Sequence, residues 1–429
     1  MNNLLYDTHE NPRTVKEWVL YAVQMLMAVF VATVLISNIC GTPVDAGLLG
    51  ACLGTLTYQL ITKFKSPVFI SNSGATVSAV LGALALGTAP NYFAVFIGGL
   101  IVLAVYAIFA FVIKWRGIDA INKLFPPYIV GPITIVIGLN LAGFIPTYVD
   151  LGSVNSNINV FVAIAVMIII AMTSHYFKGF LKTIPFLIGL LFGFFVCFIL
   201  EITGLVEYGI IDKFSSITGL FSLPDLAFLH WDDGFKEFDF GTFINIILLF
   251  APVSICALCE HYSDHMVMSN IIGHDLTREP GLHRTLVGDG AASVIGTIVG
   301  GQPNTSYGES TAMVGFSRVA SVKVVSLAAI MMGILAFIQP VQVFIGAIPN
   351  CVFGGCAMIL YGYIACSGLK TLMRAKIDLE NNRNLIVVSV ILTVGVSGIW
   401  LFSNSFAGVS LAMVLGIILN LLLKIKGEK

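Results

Sequence analysis

Four titratable side chains crowd a stretch that otherwise suits hydrocarbon. Glu260, His261, Asp264 and His265 fall within SICALCEHYSDH, residues 254–265, on a segment from 241 to 272 that reads as one membrane-spanning helix. A carboxylate in a bilayer costs roughly 2.5–3.5 kcal/mol on insertion scales, so it persists only with partners or a polar cavity. Glu260 and Asp264 stand four apart and share one helix face, with His261 and His265 on the adjacent face. Two anions that close repel in a low-dielectric setting, so the pair is expected to hold a proton at neutral pH. A group that takes and releases a proton is what a proton-coupled carrier needs. The plainer roles are a structural hydrogen bond for Glu260, and a wet helix end for Asp264 and His265.

A second constellation is GGQPNTSYGES, residues 300–310. Gly300, Gly301 and Pro303 break the preceding helix. Tyr307, Gly308 and Glu309 then open a short helix whose first N–H groups and positive dipole end can grip a carbonyl oxygen. Glu309 can accept a hydrogen bond from a ligand N–H, or serve only as a first-turn dipole partner. Ser71, Asn72, Ser73, Gly74 and Ala75 form a similar break ahead of the third apolar run. Asp289 is one more acid in an apolar run, with a cap, a polar contact and a proton path all open to it. Gln24 and Tyr361 are polar residues able to line a cavity, and Tyr361 equally fits plain packing between segments. Histidines at i,i+4 can bind zinc, but the H-E-x-x-H order is absent, which leaves an intramembrane metalloenzyme a remote alternative. The eight cysteines lie in or beside apolar runs and read as small buried side chains.

The elements that must position these groups are membrane helices. The chain has 429 residues, 57% hydrophobic and 10% charged, with a mean hydropathy of +0.95, against roughly 25% charged in soluble domains. Repeated apolar runs of about 20 residues indicate an all-α polytopic membrane protein. The net charge of −1 offers no basic surface for nucleic acid. The first 16 residues lack the basic region and cleavage site of a secretory signal, so the first span is expected to remain. Fourteen segments are expected: 17–38, 46–62, 74–88, 91–113, 127–145, 158–176, 183–204, 242–272, 284–301, 309–317, 320–339, 345–367, 384–402 and 405–424. With both termini cytoplasmic, this threading puts 20 of the 22 Lys and Arg inside, leaving only Lys213 and Lys236 outside, as the positive-inside rule requires. The outside stretch from about 205 to 240, with Trp231 and several acids, suits short amphipathic helix at the interface.

An internal repeat is visible. LFPPYIVGPITIVIGLNLAG (124–143) resembles AIPNCVFGGCAMILYGYIAC (347–366) at a constant offset of 223, with Pro126 on Pro349 and Gly131 on Gly354. Seven spans is an odd number, so the halves insert with opposite orientation. Paired broken helices then mark a midplane site, as in inverted-repeat transporters.

Together these residues carry a resemblance that runs nearly end to end. QPNTSYGES followed by Phe316, Ser317, Arg318 and Val319, the CEH segment leading to REPGLHR at 278–284, LFPP at 124–127 and LYG at 360–362 resemble the nucleobase–ascorbate transporter family, and its bacterial uracil/proton symporters in particular. The resemblance implies seven plus seven inverted segments, with two short antiparallel strands near 69–73 and 303–307 at the midplane. A core would rock against a gate, and two chains would pair through the gate. The chain then divides into a cytoplasmic segment (1–16), core parts 17–123 and 242–340, gate parts 124–204 and 341–424, an extracytoplasmic loop (205–241) and a tail (425–429). Glu260 and Glu309 match the glutamates that bind the uracil ring nitrogens. The backbone at Gly74 and Gly308 matches donors to a ring carbonyl, and Ser73, Tyr307 and Tyr361 match neighbours of the pocket. Glu260, Asp264 and His265 are the expected proton-coupling groups. No cofactor is expected beyond the proton. Three positions depart from the uracil group: Asp264 stands for His, Gly74 for Phe, and Met25 for a His. Asp is familiar at the first of these in purine carriers, whereas Glu309 fits the uracil group. Uracil is therefore the expected substrate, with xanthine or uric acid second and an anion, as in related carriers, remote.

Overall fold

The computed structural model describes residues 4–117, 126–178, 181–182, 184–401 and 406–423. Lys123, Lys424, Lys426, Lys429, the tail 425–429 and the first two residues of the LFPP motif lie outside the described residues. The first four helices are α1 (Val15–Cys40), α2 (Val44–Ile61), α3 (Val77–Leu84) and α4 (Tyr92–Arg116), with strand β1 (Ile70–Asn72) ahead of α3. There follow α5 (Pro127–Ala142), α6 (Ile145–Tyr148), α7 (Ser156–Tyr176) and α8 (Pro185–Ile202). The long connection holds α9 (Ile210–Ser215), a 3₁₀ turn (Ala227–His230) and α10 (Asp232–Lys236). The next run is α11 (Phe240–Ile272), α12 (Leu282–Gly300), β2 (Asn304–Ser306), α13 (Gly308–Ser317) and α14 (Val322–Leu335). The chain closes with α15 (Gln339–Ala347), α16 (Asn350–Arg374), α17 (Asn382–Val396), strands β3 (Trp400–Leu401) and β4 (Phe406–Ala407), and α18 (Val409–Leu422).

Eight helices among the described residues are long and apolar enough to cross a membrane. The chain is a multi-pass membrane protein. The segment expected at 345–367 is α16, which begins later because Pro349 cannot continue α15 and starts the next helix instead, and α15 fills the connection expected before it. The β3–β4 pair, with Trp400 opposite Ala407, lies where two spans were expected to meet directly. The connection after α8 holds short helices, as its composition suggested. Trp231 stacks on Phe96 of α4 at 4.5 Å, and Phe235 and Phe238 meet Phe93 edge-on at 5.3 and 5.4 Å.

At the centre lies the antiparallel pair β1–β2, with Ile70 opposite Ser306, Ser71 opposite Thr305 and Asn72 opposite Asn304. Ser73 N–H to Pro303 O (2.9 Å) and Tyr307 N–H to Phe69 O (3.1 Å) extend it at either end. A two-stranded ribbon has two open edges, and in a membrane every backbone polar group needs a partner. Side chains close both edges here. Thr55 of α2 bonds the carbonyl of Ile70 at 2.7 Å and accepts from its N–H at 3.0 Å. Ser293 of α12 donates to Asn304 O at 2.5 Å. Asn72 donates to Thr33 O and Ser37 Oγ on α1, while Asn304 donates to Gly50 O and Ala292 O. The polar composition of SNS and NTS is thus what allows extended chain at this depth.

Small residues set the spacing around the ribbon. A Cβ on Gly300 of α12 would lie 2.9 Å from Gly47 Cα of α2, so the two helices touch backbone to backbone. On the other side of the molecule, Gly138 of α5 would meet the Tyr361 carbonyl of α16 at 2.6 Å. The N-terminal segment lies along the exit of α13. Leu5 N–H bonds Arg318 O, Ala320 N–H bonds Tyr6 O and Val322 N–H bonds Thr8 O, at 2.7, 2.9 and 3.1 Å.

Candidate functional site

Helix α11 carries the acids. Its 33 residues make it about 50 Å long, longer than the roughly 30 Å hydrocarbon core. Asp239 caps its start by accepting from Thr242 N–H, which holds that carboxyl below its usual range. Its far end is stopped by Gly273 in the left-handed region.

A cavity of about 340 Å³ opens between α11, the β2–α13 junction, α1 and α16. Glu260, Ser263 and Asp264 line it from α11, and Thr305, Ser306, Tyr307, Gly308 and Glu309 from the junction. Gly74 closes one end beyond β1, and α16 supplies the opposite wall, with Tyr363, Ser367 and Lys370. Three carboxyls therefore face one cavity, and Lys370 is the one cation among its lining residues. Asp264 Oδ2 accepts from Ser306 Oγ at 3.1 Å. Glu260 Oε2 is buried and has no hydrogen-bond partner among the described residues. An unpaired buried acceptor is expensive, so such an atom is a place where a ligand N–H is wanted. Glu309 is the second residue of α13, where the helix's own free N–H groups face the same space.

Both glycines leave room rather than flexibility. A Cβ on Gly308 would sit 3.6 Å from Asp264 Oδ1, inside the cavity, and one on Gly74 would press Ile36 Cδ1 at 3.2 Å. Tyr307 lines the cavity while its hydroxyl donates to Asn72 O at 2.9 Å, which ties the start of α13 to β1. Ser73 and Tyr361 are 2% and 1% exposed and lie outside this lining. Ser73 lends its N–H to the ribbon, and Tyr361 packs where α5 crosses α16.

The two histidines take the neighbouring face of α11, turned toward α2 and α12. His265 Nδ1 donates to His261 O at 2.8 Å, and its Nε2 lies 2.7 Å from the Tyr58 hydroxyl. His261 Nδ1 lies 2.5 Å from Asp289 Oδ2, with both side chains fully buried. Its Nε2 lies 3.0 Å from Thr285 Oγ1, whose own proton goes to Leu282 O at 3.1 Å. The rings stack at 3.9 Å. Asp289, left open by the sequence, is thus the partner of His261 and joins α12 to α11. With both rings bonded to protein, neither histidine faces the cavity. Among the described residues no group of three or more His, Cys, Asp or Glu could hold a metal ion.

Several lining residues escaped the sequence reading. Ser263 sits three residues from Glu260, so helical spacing could have found it. Ser306 and Thr305 lie inside the quoted break but were not singled out. Thr134, Ser367 and Lys370 come from α5 and α16, and no local signal marks them as facing α11.

The Permease family matches residues 16–403. Uracil permease of Bacillus caldolyticus is 34% identical over 99% of this chain and 95% of its own. Uracil permease of Escherichia coli (strain K12) is 34% identical, over 94% of this chain and 90% of its own. Among solved structures, the transmembrane domain of a cyanobacterium bicarbonate transporter BicA aligns over 96% of this chain and 98% of its own, with TM-score 0.58 and 16% identity. Murine Slc26a9, an anion transporter in the inward-facing state, aligns over 97% of this chain and 69% of its own, with TM-score 0.61 and 10% identity. At these identities the two structures speak for the fold alone. A family match over most of the length, with relatives a third identical from end to end, places this chain in the Permease family, among the nucleobase–ascorbate transporters, as a membrane carrier and not an enzyme.

Proposed function

We propose that this protein imports uracil by proton symport across the bacterial inner membrane. The observation that carries the reading is that Glu260 and Glu309 line one cavity, with Glu260 Oε2 buried and without a hydrogen-bond partner among the described residues. Two carboxylates supply acceptors for the two N–H groups of an imide ring, and the Gly308 and Gly74 backbones supply donors for its carbonyl oxygens. Asp264 and Glu260 share the coupled proton. His265, bonded to Tyr58 and the backbone, steadies α11 and acts on the proton only through it.

The chain threads fourteen times in a 7+7 inverted repeat with both termini cytoplasmic. The core comprises 17–123 and 242–340, and the gate 124–204 and 341–424. In support, α12 packs on α2 and α4, whereas α16 packs on α5 and α7. Substrate and proton enter from outside, the core slides along the gate as an elevator, and the cavity then opens past Lys370 to the cytoplasm. Two chains pair through their gates. Three acids against one cation disfavour an anionic cargo despite the fold shared with anion carriers.

A purine such as xanthine or uric acid is the second reading, favoured by Asp264, a third acceptor within the cavity. Binding of uracil, xanthine, uric acid and ascorbate to purified protein at two pH values decides between them. Uracil binds tightest, and more tightly at the lower pH. Tighter xanthine binding selects the second reading, and binding of none refutes both. In proteoliposomes an inward proton gradient speeds uracil uptake. Uptake indifferent to that gradient excludes symport.

A further inference from the structure

Cys197 of α8 and Cys351 in the first turn of α16 lie with their sulfurs 3.7 Å apart, although 154 residues separate them. Both are buried, at 0% and 2% exposure, but their surroundings differ. Cys351 lines a second cavity, of about 700 Å³, which is walled by Asp45, Asp150, Glu207, Tyr208 and Asn350 and is remote from the carboxylate cavity. Cys197 is absent from that lining and lies behind Cys351. The helices already touch at this level. A Cβ on Gly193, one turn before Cys197, would meet Val352 Cγ1 at 2.7 Å. An S–S bond is about 2.05 Å long, so closure requires the two sulfurs to approach from 3.7 Å.

We propose that Cys197 and Cys351 form a reactive dithiol site, closed to a disulfide by small hydroperoxides that reach Cys351 through the polar cavity. The Cys351 sulfur attacks the terminal peroxide oxygen. The O–O bond breaks, the alcohol (or water, from hydrogen peroxide) leaves with one proton, and Cys351 becomes a sulfenic acid. The Cys197 sulfur then displaces the hydroxyl, which departs as water with the thiol proton. Two thiols are oxidised by one equivalent of hydroperoxide, and the bond made ties α8 to α16. The packing selects this pair over the other six cysteines. Cys366 is exposed, so it can oxidise, but the partner positioned for closure is at Cys351.

The test uses the purified full chain treated with one to a few equivalents of hydrogen peroxide, then denatured, alkylated and digested without reductant. The expected result is a Cys197–Cys351 crosslinked peptide, lighter by two hydrogens than the sum of its parts and separated by reductant. In Cys197→Ser the intermediate has no resolving thiol, so a sulfenic-acid trap such as dimedone labels Cys351. If both cysteines are instead recovered alkylated, with no linked peptide, the proposal is wrong. It is equally wrong if Cys197 is found linked to a different cysteine. The wild-type measurement needs no variant to fold, and neither readout depends on which substrate the protein carries.

Discussion

Replacing Glu260 separates a binding role from a structural one, because the geometry predicts opposite signs for affinity and stability. Glu260 Oε2 is buried and has no hydrogen-bond partner among the described residues. Removing the carboxyl therefore breaks no hydrogen bond from that oxygen, and it relieves an acceptor taken from water without compensation. The apparent melting temperature of Glu260→Ala in detergent should equal or exceed that of wild type. Binding moves the other way. A hydrogen bond to a charged group is worth roughly 1.5–3 kcal/mol, and each 1.4 kcal/mol is tenfold in Kd, so uracil affinity falls by about 10- to 150-fold. Glu260→Gln should sit at the weaker end of that range, since its amide oxygen still accepts. Glu260→Ala should sit at the stronger end, since the ligand N–H is then buried unpaired. Calorimetric titration of uracil, paired with thermal unfolding of the same samples, reads both quantities. Wild-type affinity in Glu260→Ala refutes the assignment of the site. A large fall in melting temperature, with affinity retained in the folded fraction, shows instead that the acid is structural.

Two further substitutions probe the walls and the frame. Gly308→Ala places a methyl 3.6 Å from Asp264 Oδ1 inside the cavity, at a helical position that any residue can adopt. It should raise the KM of uptake several-fold while leaving thermal unfolding within about 1 kcal/mol of wild type; unaltered uptake would place the substrate elsewhere. Asp289→Ala leaves the fully buried His261 Nδ1 without its partner, which should destabilise the fold by on the order of 3 kcal/mol. Because neither residue lines the cavity, uracil affinity in the surviving folded fraction should stay near wild type, as titration after size-exclusion chromatography will show.

Much of the site was legible because its breaks are chemical. Gly300, Gly301 and Pro303 cannot continue a membrane helix, so a non-helical break followed by a half-helix was readable at 302–308, while the strand within it came from the family resemblance. The pairing of that stretch with 69–73 came from the family resemblance, and the register of Ile70 with Ser306 matches it. Helical spacing likewise put Glu260 and Asp264 together, and both line the cavity. The β3–β4 pair was not legible. Its strands are two residues each, too short to show an alternating pattern against an apolar background.

His265 shows where such reading stops. Helical periodicity fixes the angle between two residues on one helix, but not how far the helix is rotated about its own axis. The sequence could say that His261 and His265 lie beside the face of Glu260 and Asp264. It could not say which of the two faces meets the cavity. That rotation is set by residues distant in the chain: Asp289 and Thr285 on α12 hold His261, and Tyr58 on α2 holds His265. Two faces of α11 therefore do separate work. The histidine face spends its polar atoms on neighbouring helices and locks the rotation. The lock leaves the carboxylate face with an acceptor at Glu260 that has no hydrogen-bond partner among the described residues. Had the helix turned by one residue's angle, so that His261 took the direction of Glu260, the cavity would present imidazoles in place of carboxylates. The face that carries the unpaired acceptor is thus presented by the satisfied pair behind it: Asp289, outside the cavity, supports the fold around the site, whereas Glu309 lines it.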